Sequence, residues 1–166
     1  MNIRDGHIIG LGDVFNFSTE AATQWLEQEG RAFKAAKRPK GVRKGRKGNC
    51  YSNATRLIYE NQLFGDKTLQ YAEGVATLDG SPFMVWHGWV VTPDGTVIDP
   101  TLKHPEQYTY FGVQCDWDWY KKHVGTTGFY GVLGGDPKAG AEFLQSKGIN
   151  PRAIDPRFSE MLARMA

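Results

Sequence analysis

Cysteine is scarce in this chain: 166 residues hold two, Cys50 and Cys115. Two thiols cannot make the disulfide framework that staples small secreted domains. A reducing, cytoplasmic setting is therefore expected, in which a single thiol can stay reactive. Long apolar runs are missing too. None approaches the roughly 20 residues that a membrane helix needs, so no membrane partner is expected. The first residues, Met1 to His7, have neither the charged start nor the apolar middle of a signal peptide. Histidine is sparse as well. His7, His87, His104 and His123 form no close-spaced pair with each other or with the cysteines, so neither a metal site nor another cofactor is expected. The glycines, although 20 in number, make no phosphate-binding loop and no dinucleotide fingerprint.

What is present suits one domain spanning residues 1–166. Forty per cent of the residues are hydrophobic, with five Trp and nine Phe, enough to build a core rather than a disordered chain. Charge is unevenly spread. Nine of the 20 Lys and Arg residues fall in residues 31–47, where there is no acid, leaving 11 basic against 18 acidic residues elsewhere. The chain reads as a mildly acidic domain with one basic segment directly before Cys50.

Pattern and punctuation predict mixed helices and strands, an α+β chain. Ser18 or Thr19 can cap a helix running to about Ala36, with Gly30 as its weak point. Residues 37–48, with one Pro and three Gly among like charges, form a basic loop. A second helix is expected from Cys50 to about Phe64, with Cys50, Ala54, Leu57 and Ile58 on one face. Strands are expected over Leu69 to Thr77, Phe83 to Val91, Val97 to Asp99 and Tyr108 to Val113. Further helices are expected over Asp116 to His123, Pro137 to Lys147 and Phe158 to Met165, with a Gly-rich connection from Gly125 to Gly135.

Three stretches carry candidate chemistry: Gly48-Asn49-Cys50, Trp86-His87-Gly88-Trp89 and Ile98-Asp99-Pro100-Thr101. Cysteine attacks as thiolate, and a free thiol with a pKa of about 8.5 is mostly protonated at neutral pH. The start of a helix favours the thiolate through unpaired N–H groups and a partial positive charge. Cys50 is placed there, and its own N–H suits an oxyanion hole. Gln24, Asn49 and Asn53 are the alternatives for a second oxyanion donor. The turn Thr92-Pro93-Asp94-Gly95-Thr96 predicts a three-residue hairpin loop, a type I turn with a Gly bulge. Thr92 then pairs with Thr96, Trp89 with Asp99 and His87 with Thr101, so Asp99 is the diagonal, same-face neighbour of His87. A loop one residue shorter or longer would put the two on opposite faces. Taken singly, a cysteine at a helix start, a histidine among aromatics and an aspartate before proline all have ordinary structural uses. Together they make Cys50, His87 and Asp99 a candidate nucleophile, base and orienting acid. Asn49, Trp86 and Trp89 are candidate substrate-binding residues, with core packing as the role of at least one tryptophan.

Gly48-Asn49-Cys50-Tyr51-Ser52-Asn53-Ala54, Tyr71-Ala72-Glu73-Gly74, His87-Gly88-Trp89-Val90 and Ile98-Asp99-Pro100-Thr101 together resemble the transglutaminase-like core. That core runs as a Gly-x-Cys helix start, a Tyr-x-x-Gly strand, a His-Ala-Trp strand and an Asp-Pro-Thr strand. The resemblance covers about residues 48–101. It implies a papain-like fold, with the nucleophile helix packed on a small antiparallel sheet, and the triad Cys50, His87 and Asp99. Gly88 departs from the usual Ala. The spacings, 37 residues from Cys50 to His87 and 12 from His87 to Asp99, mark a compact version. The calcium-regulated features of the large animal transglutaminases have no counterpart.

The expected function is a cysteine-dependent amide or acyl hydrolase, a peptidase or amidase, working through a thioacyl intermediate on a protein or peptide substrate. Acyl transfer, as a transglutaminase or protein-glutamine deamidase, is the alternative within enzymes. Outside enzymes the alternative is a protein that binds nucleic acid or an acidic partner through residues 31–47. That segment has no interleaved aromatics for base stacking.

Overall fold

The computed structural model describes residues 2–4, 7–9, 20–64, 68–134 and 137–148. Ser18, Thr19 and the helix expected over Phe158 to Met165 lie outside the described residues. A two-stranded antiparallel ribbon, β1 (Asn2–Arg4) with β2 (His7–Ile9), opens the chain; no sequence pattern announced it. Helix α1 (Glu20–Glu29) follows, and its last turn closes with Gly30 N donating to Leu26 O at 2.9 Å.

The expected continuation of this helix to Ala36 is wrong. Arg31–Phe33 is a strand, β3, paired with β7 (Tyr108–Gln114) through Arg31↔Gly112, Ala32↔Phe111 and Phe33↔Tyr110. The backbone of three residues completes a sheet edge there, and Phe33 is buried against Trp89 with ring centroids 5.6 Å apart. Tertiary pairing outweighs helix propensity at such a short segment.

Residues 37–48 form the expected loop without regular structure, and α2 spans Cys50–Phe64 as expected. The remaining strands are β4 (Gln70–Leu78), β5 (Met84–Val91) and β6 (Val97–Ile98). A 3-10 turn at Pro105–Gln107 leads into β7. Helix α3 (Trp117–Thr127) is capped by Asp116, which accepts from Trp119 N, and runs one turn beyond the expected His123. Helix α4 spans Pro137–Ser146.

The five strands make one antiparallel sheet in the order β3-β7-β4-β5-β6. Its two ends meet: Lys34 N donates to Gly95 O (3.1 Å) and Val97 N to Lys34 O (2.8 Å). The sheet is thereby curled round on itself. Inside the curl lie Phe33, Ala72, Ala76, Trp89, Val91, Val97 and Tyr110. On the outer face Tyr71, Val75, Val90, Phe111 and Val113 pack with residues of all four helices, such as Leu26, Ile58, Tyr120 and Leu144. The central strand β4 is covered on both faces, so Tyr71 to Thr77 are all buried. The molecule is thus mixed α+β, with helices gathered on one face of a curled antiparallel sheet.

Trp89 fills the curl. It is wholly buried and meets Phe33 and Tyr110 edge-on. Replacing it with Ala is expected to cost about 3–5 kcal/mol of unfolding free energy in a denaturant titration. A loss under about 1 kcal/mol would show that the curl is packed in some other way.

Candidate active site

The hairpin that carries His87 and Asp99 forms as its turn chemistry predicts. Gly95 N donates to Thr92 O at 2.9 Å and Thr92 N to Thr96 O at 3.0 Å. Gly95 has φ 79°, a left-handed conformation that only glycine adopts without strain. The ladder runs Val91↔Val97 and Val90↔Ile98, the register that brings Asp99 opposite Trp89 and diagonal to His87. His87 Nε2 donates to Asp99 Oδ2 at 2.7 Å. Both side chains are buried.

Asp99 accepts three more hydrogen bonds. Tyr110 Oη donates to Oδ2 (2.8 Å), and Thr101 N (2.6 Å) and Leu102 N (3.1 Å) donate to Oδ1. Burial by itself would raise the carboxyl pKa, but hydrogen bonding and the charge of His87 hold it below the ordinary value, as do the two backbone donors. Tyr110 is a site residue that the sequence reading missed. It lies two strands away from β5 across the curl, and no local pattern points to it.

With Nε2 committed to Asp99, Nδ1 is the nitrogen left for the sulfur of Cys50. Cys50 is half-buried and adjoins the imidazole. Burial alone would depress the His87 pKa. Bonding to Asp99 and to Cys50, with the charges of both, outweighs burial and pushes it up to about 9. Asn53 N donates to Asn49 O at 2.9 Å, so Cys50 opens α2 and the N–H groups of that first turn have no helical acceptor. An imidazole bonded to a buried carboxylate, with a thiol beside it, is the arrangement that a proton-transfer chain needs.

The other candidate residues divide. Asn49 is exposed beside Cys50 and lines a groove of about 370 Å³ with Gly48, Tyr51, Ser52 and Gly128 to Gly131. Trp89 is core, not groove. Trp86 is half-buried and packs on Gly134; its buried Nε1 has no hydrogen-bond partner. Asn53 is withdrawn from oxyanion duty, because its Nδ2 donates to Arg46 O (2.8 Å) and Thr101 Oγ1 (3.0 Å). Gln24 lies on α1. Glycine at position 88 has a local cause: a Cβ there would sit 2.8 Å from Tyr51 Cδ1 and 2.9 Å from Tyr71 Oη.

A second buried carboxylate holds the segment that follows the groove-lining residues Gly128 to Gly131. Glu73, with no exposed surface, accepts from Val132 N (2.7 Å), Leu133 N (2.7 Å), Gly134 N (2.6 Å) and Tyr71 Oη (2.6 Å). Burial raises its pKa, and the four donors act against that rise. The same segment is gripped upstream. Tyr120 Oη donates to Tyr130 O (2.7 Å) and His123 Nε2 to Gly131 O (3.1 Å). One acid set between Ala72 and Gly74 in a buried strand was a legible signal, since a buried charge demands partners. Their identity was not legible.

The basic loop is fastened to the turn that carries Asp99. Gly45 N donates to Pro100 O (2.6 Å), Arg38 Nη1 to Leu102 O (2.9 Å), and Asn53 ties Arg46 to Thr101. Among the described residues no group of three or more His, Cys, Asp or Glu could hold a metal ion, and no helix is long and apolar enough to cross a membrane. Comparisons of the chain with models of protein families, with curated proteins and with solved structures return no match.

Two outcomes are expected. An imidazole NMR titration should place the His87 midpoint near 9. A raised histidine pKa means that its contribution to stability is complete below about pH 6.5, the unfolded value, and is lost as pH rises through about 9. A midpoint at or below the unfolded value would contradict the Asp99 and Cys50 contacts. Glu73→Gln puts an NH2 group against backbone donors and should cost about 2–3 kcal/mol of unfolding free energy; an unchanged denaturation midpoint would deny the clamp.

Proposed function

We propose that this protein is a cysteine-dependent amide or acyl hydrolase with Cys50 as nucleophile, His87 as acid and base, and Asp99 as the orienting carboxylate. The observation that carries this reading is the position of His87, bonded at 2.7 Å to a buried carboxylate on one side and adjoining a half-exposed thiol on the other. His87 is the base that takes the proton of the Cys50 thiol. The thiolate attacks the acyl carbon of an amide held in the groove beside Asn49. The Cys50 N–H and the exposed side-chain amide of Asn49 are the donors assigned to the oxyanion. His87 then passes its proton to the leaving amine, the C–N bond breaks, and a thioester to Cys50 remains. Water, deprotonated by His87, attacks the thioester, releases the acid and returns the proton to the pair.

This reading agrees with the transglutaminase-like resemblance. α2 corresponds to its nucleophile helix, and β5 with the β6 hairpin to its His and Asp strands. A papain-like arrangement is accordingly part of the proposal. Two unpaired cysteines, one of them reactive, suit a reducing compartment such as the cytoplasm.

Cys115 is an internal control. It is 2% exposed, and burial pushes its thiol pKa well above the ordinary value. Iodoacetamide is expected to alkylate Cys50 at least about tenfold faster than Cys115 in the native protein. Cys50→Ala should remove this labelling and all amide hydrolysis while leaving the thermal midpoint within a few degrees. Equal labelling of the two thiols would refute the activated nucleophile. Ammonia release from glutamine peptides that turns into amine incorporation on adding a primary amine would identify acyl transfer in place of hydrolysis.

A further inference from the structure

The triad makes no use of the basic run, yet the fold holds that run in place. Residues 34–46 track the hairpin and the Asp99 turn: Lys34 bonds to Gly95 and Val97, Arg38 to Leu102, Gly45 to Pro100, and Arg46 to Asn53. Val42 packs on the core. The segment is therefore a fixed rim beside the site and not a loose tail. Most of its basic side chains are free of these contacts. Lys37, Lys40, Arg43, Lys44 and Lys47 are exposed, and none has an ion-pair partner among the described residues. Lys47 is three residues from Cys50, which puts its Cα within about 11 Å of the Cys50 Cα. Like charges crowded on an anchored backbone repel one another and lower the stability of the folded state. A polyanion laid along the rim would relieve that repulsion.

We propose that the acyl group taken by Cys50 belongs to an acidic polypeptide, whose carboxylates lie along residues 37–47 while its reactive amide reaches the groove of Asn49, Ser52 and Phe129. This rests on the hydrolase reading above and names its substrate class. The chemistry of the neighbouring thiol favours a polypeptide over a nucleic acid, because amides abound only in the former. The rim also holds no aromatic ring on which a base could stack.

The test uses a Glu-rich peptide as probe, the full chain, and the variant Lys40→Glu/Lys44→Glu/Lys47→Glu, whose side chains make no contact that the fold needs. Two readouts run in parallel: peptide binding by fluorescence anisotropy, and the rate of Cys50 alkylation by iodoacetamide with and without peptide. The peptide should bind at low salt and slow the alkylation. The variant should bind it roughly tenfold more weakly or worse, and raising the salt to about 1 M should abolish binding, because the Debye length then shrinks to about 3 Å. Adding peptide should no longer slow the alkylation of the variant, each rate being compared with that of the same protein without peptide. Peptide binding that ignores both the variant and the salt would overturn the proposal. So would a single-stranded oligonucleotide of equal charge that binds more tightly than the peptide, since the rim would then be a nucleic-acid surface. Failure of the hydrolase reading looks different: Cys50 would alkylate no faster than Cys115, whatever the anisotropy reports.

Discussion

The carboxylate of Asp99 is the contact on which the rest of the site depends. It lies just past β6, wholly buried, and accepts four hydrogen bonds from three directions. The bond to His87 sets which ring nitrogen faces the sulfur. The bond from Tyr110 ties the site to the strand on the far side of the curl. The two backbone donors shape the turn on which the basic rim is hung. A buried anion with fewer partners would cost several kcal/mol. Full satisfaction makes Asp99 a rigid support, and the elevated proton affinity of His87 follows from it.

Glu73 plays the corresponding part on the opposite, helix-covered face of the sheet. Three consecutive backbone N–H groups converge on one carboxylate, so a segment without regular structure is held as firmly as a strand. Thus two buried acids, one on each face of the same antiparallel sheet, each hold an irregular segment through its backbone N–H groups. Asp99 governs the orientation of the imidazole, and Glu73 fixes the segment that directly follows the groove-lining residues Gly128 to Gly131. Neither acid is exposed to solvent; both act through what they accept.

Local chemistry made half of this arrangement legible beforehand. Pro93-Asp94-Gly95 determines the register of its own hairpin, and the pairing of Trp89 with Asp99 follows by counting. Gly48-Asn49 and the spacing of Ala54, Leu57 and Ile58 mark α2 to the residue. Where the determining partner is distant, the sequence is silent. Arg31 to Phe33 carries no strand signal of its own and becomes a strand because β7 offers it an edge. Tyr110 is an aromatic in an aromatic strand until the curl carries its hydroxyl to Asp99. Gly128 to Gly134 has no periodicity, and its form comes from Glu73, Tyr120 and His123. The tryptophans beside His87 alternate faces as strand residues must, so one of the pair had to be core; the curl decided that it was Trp89.

The seam at Lys34 has a consequence for the solution behaviour of the protein. A five-stranded sheet left open presents two rows of unpaired backbone groups, each a template for another chain to add a strand. Here Lys34, just past the first strand of the sheet order, bonds to Gly95 and Val97 at the last, and its exposed side chain puts a charge at the junction. The curl that encloses Trp89 therefore also leaves less open edge on which another chain could add a strand.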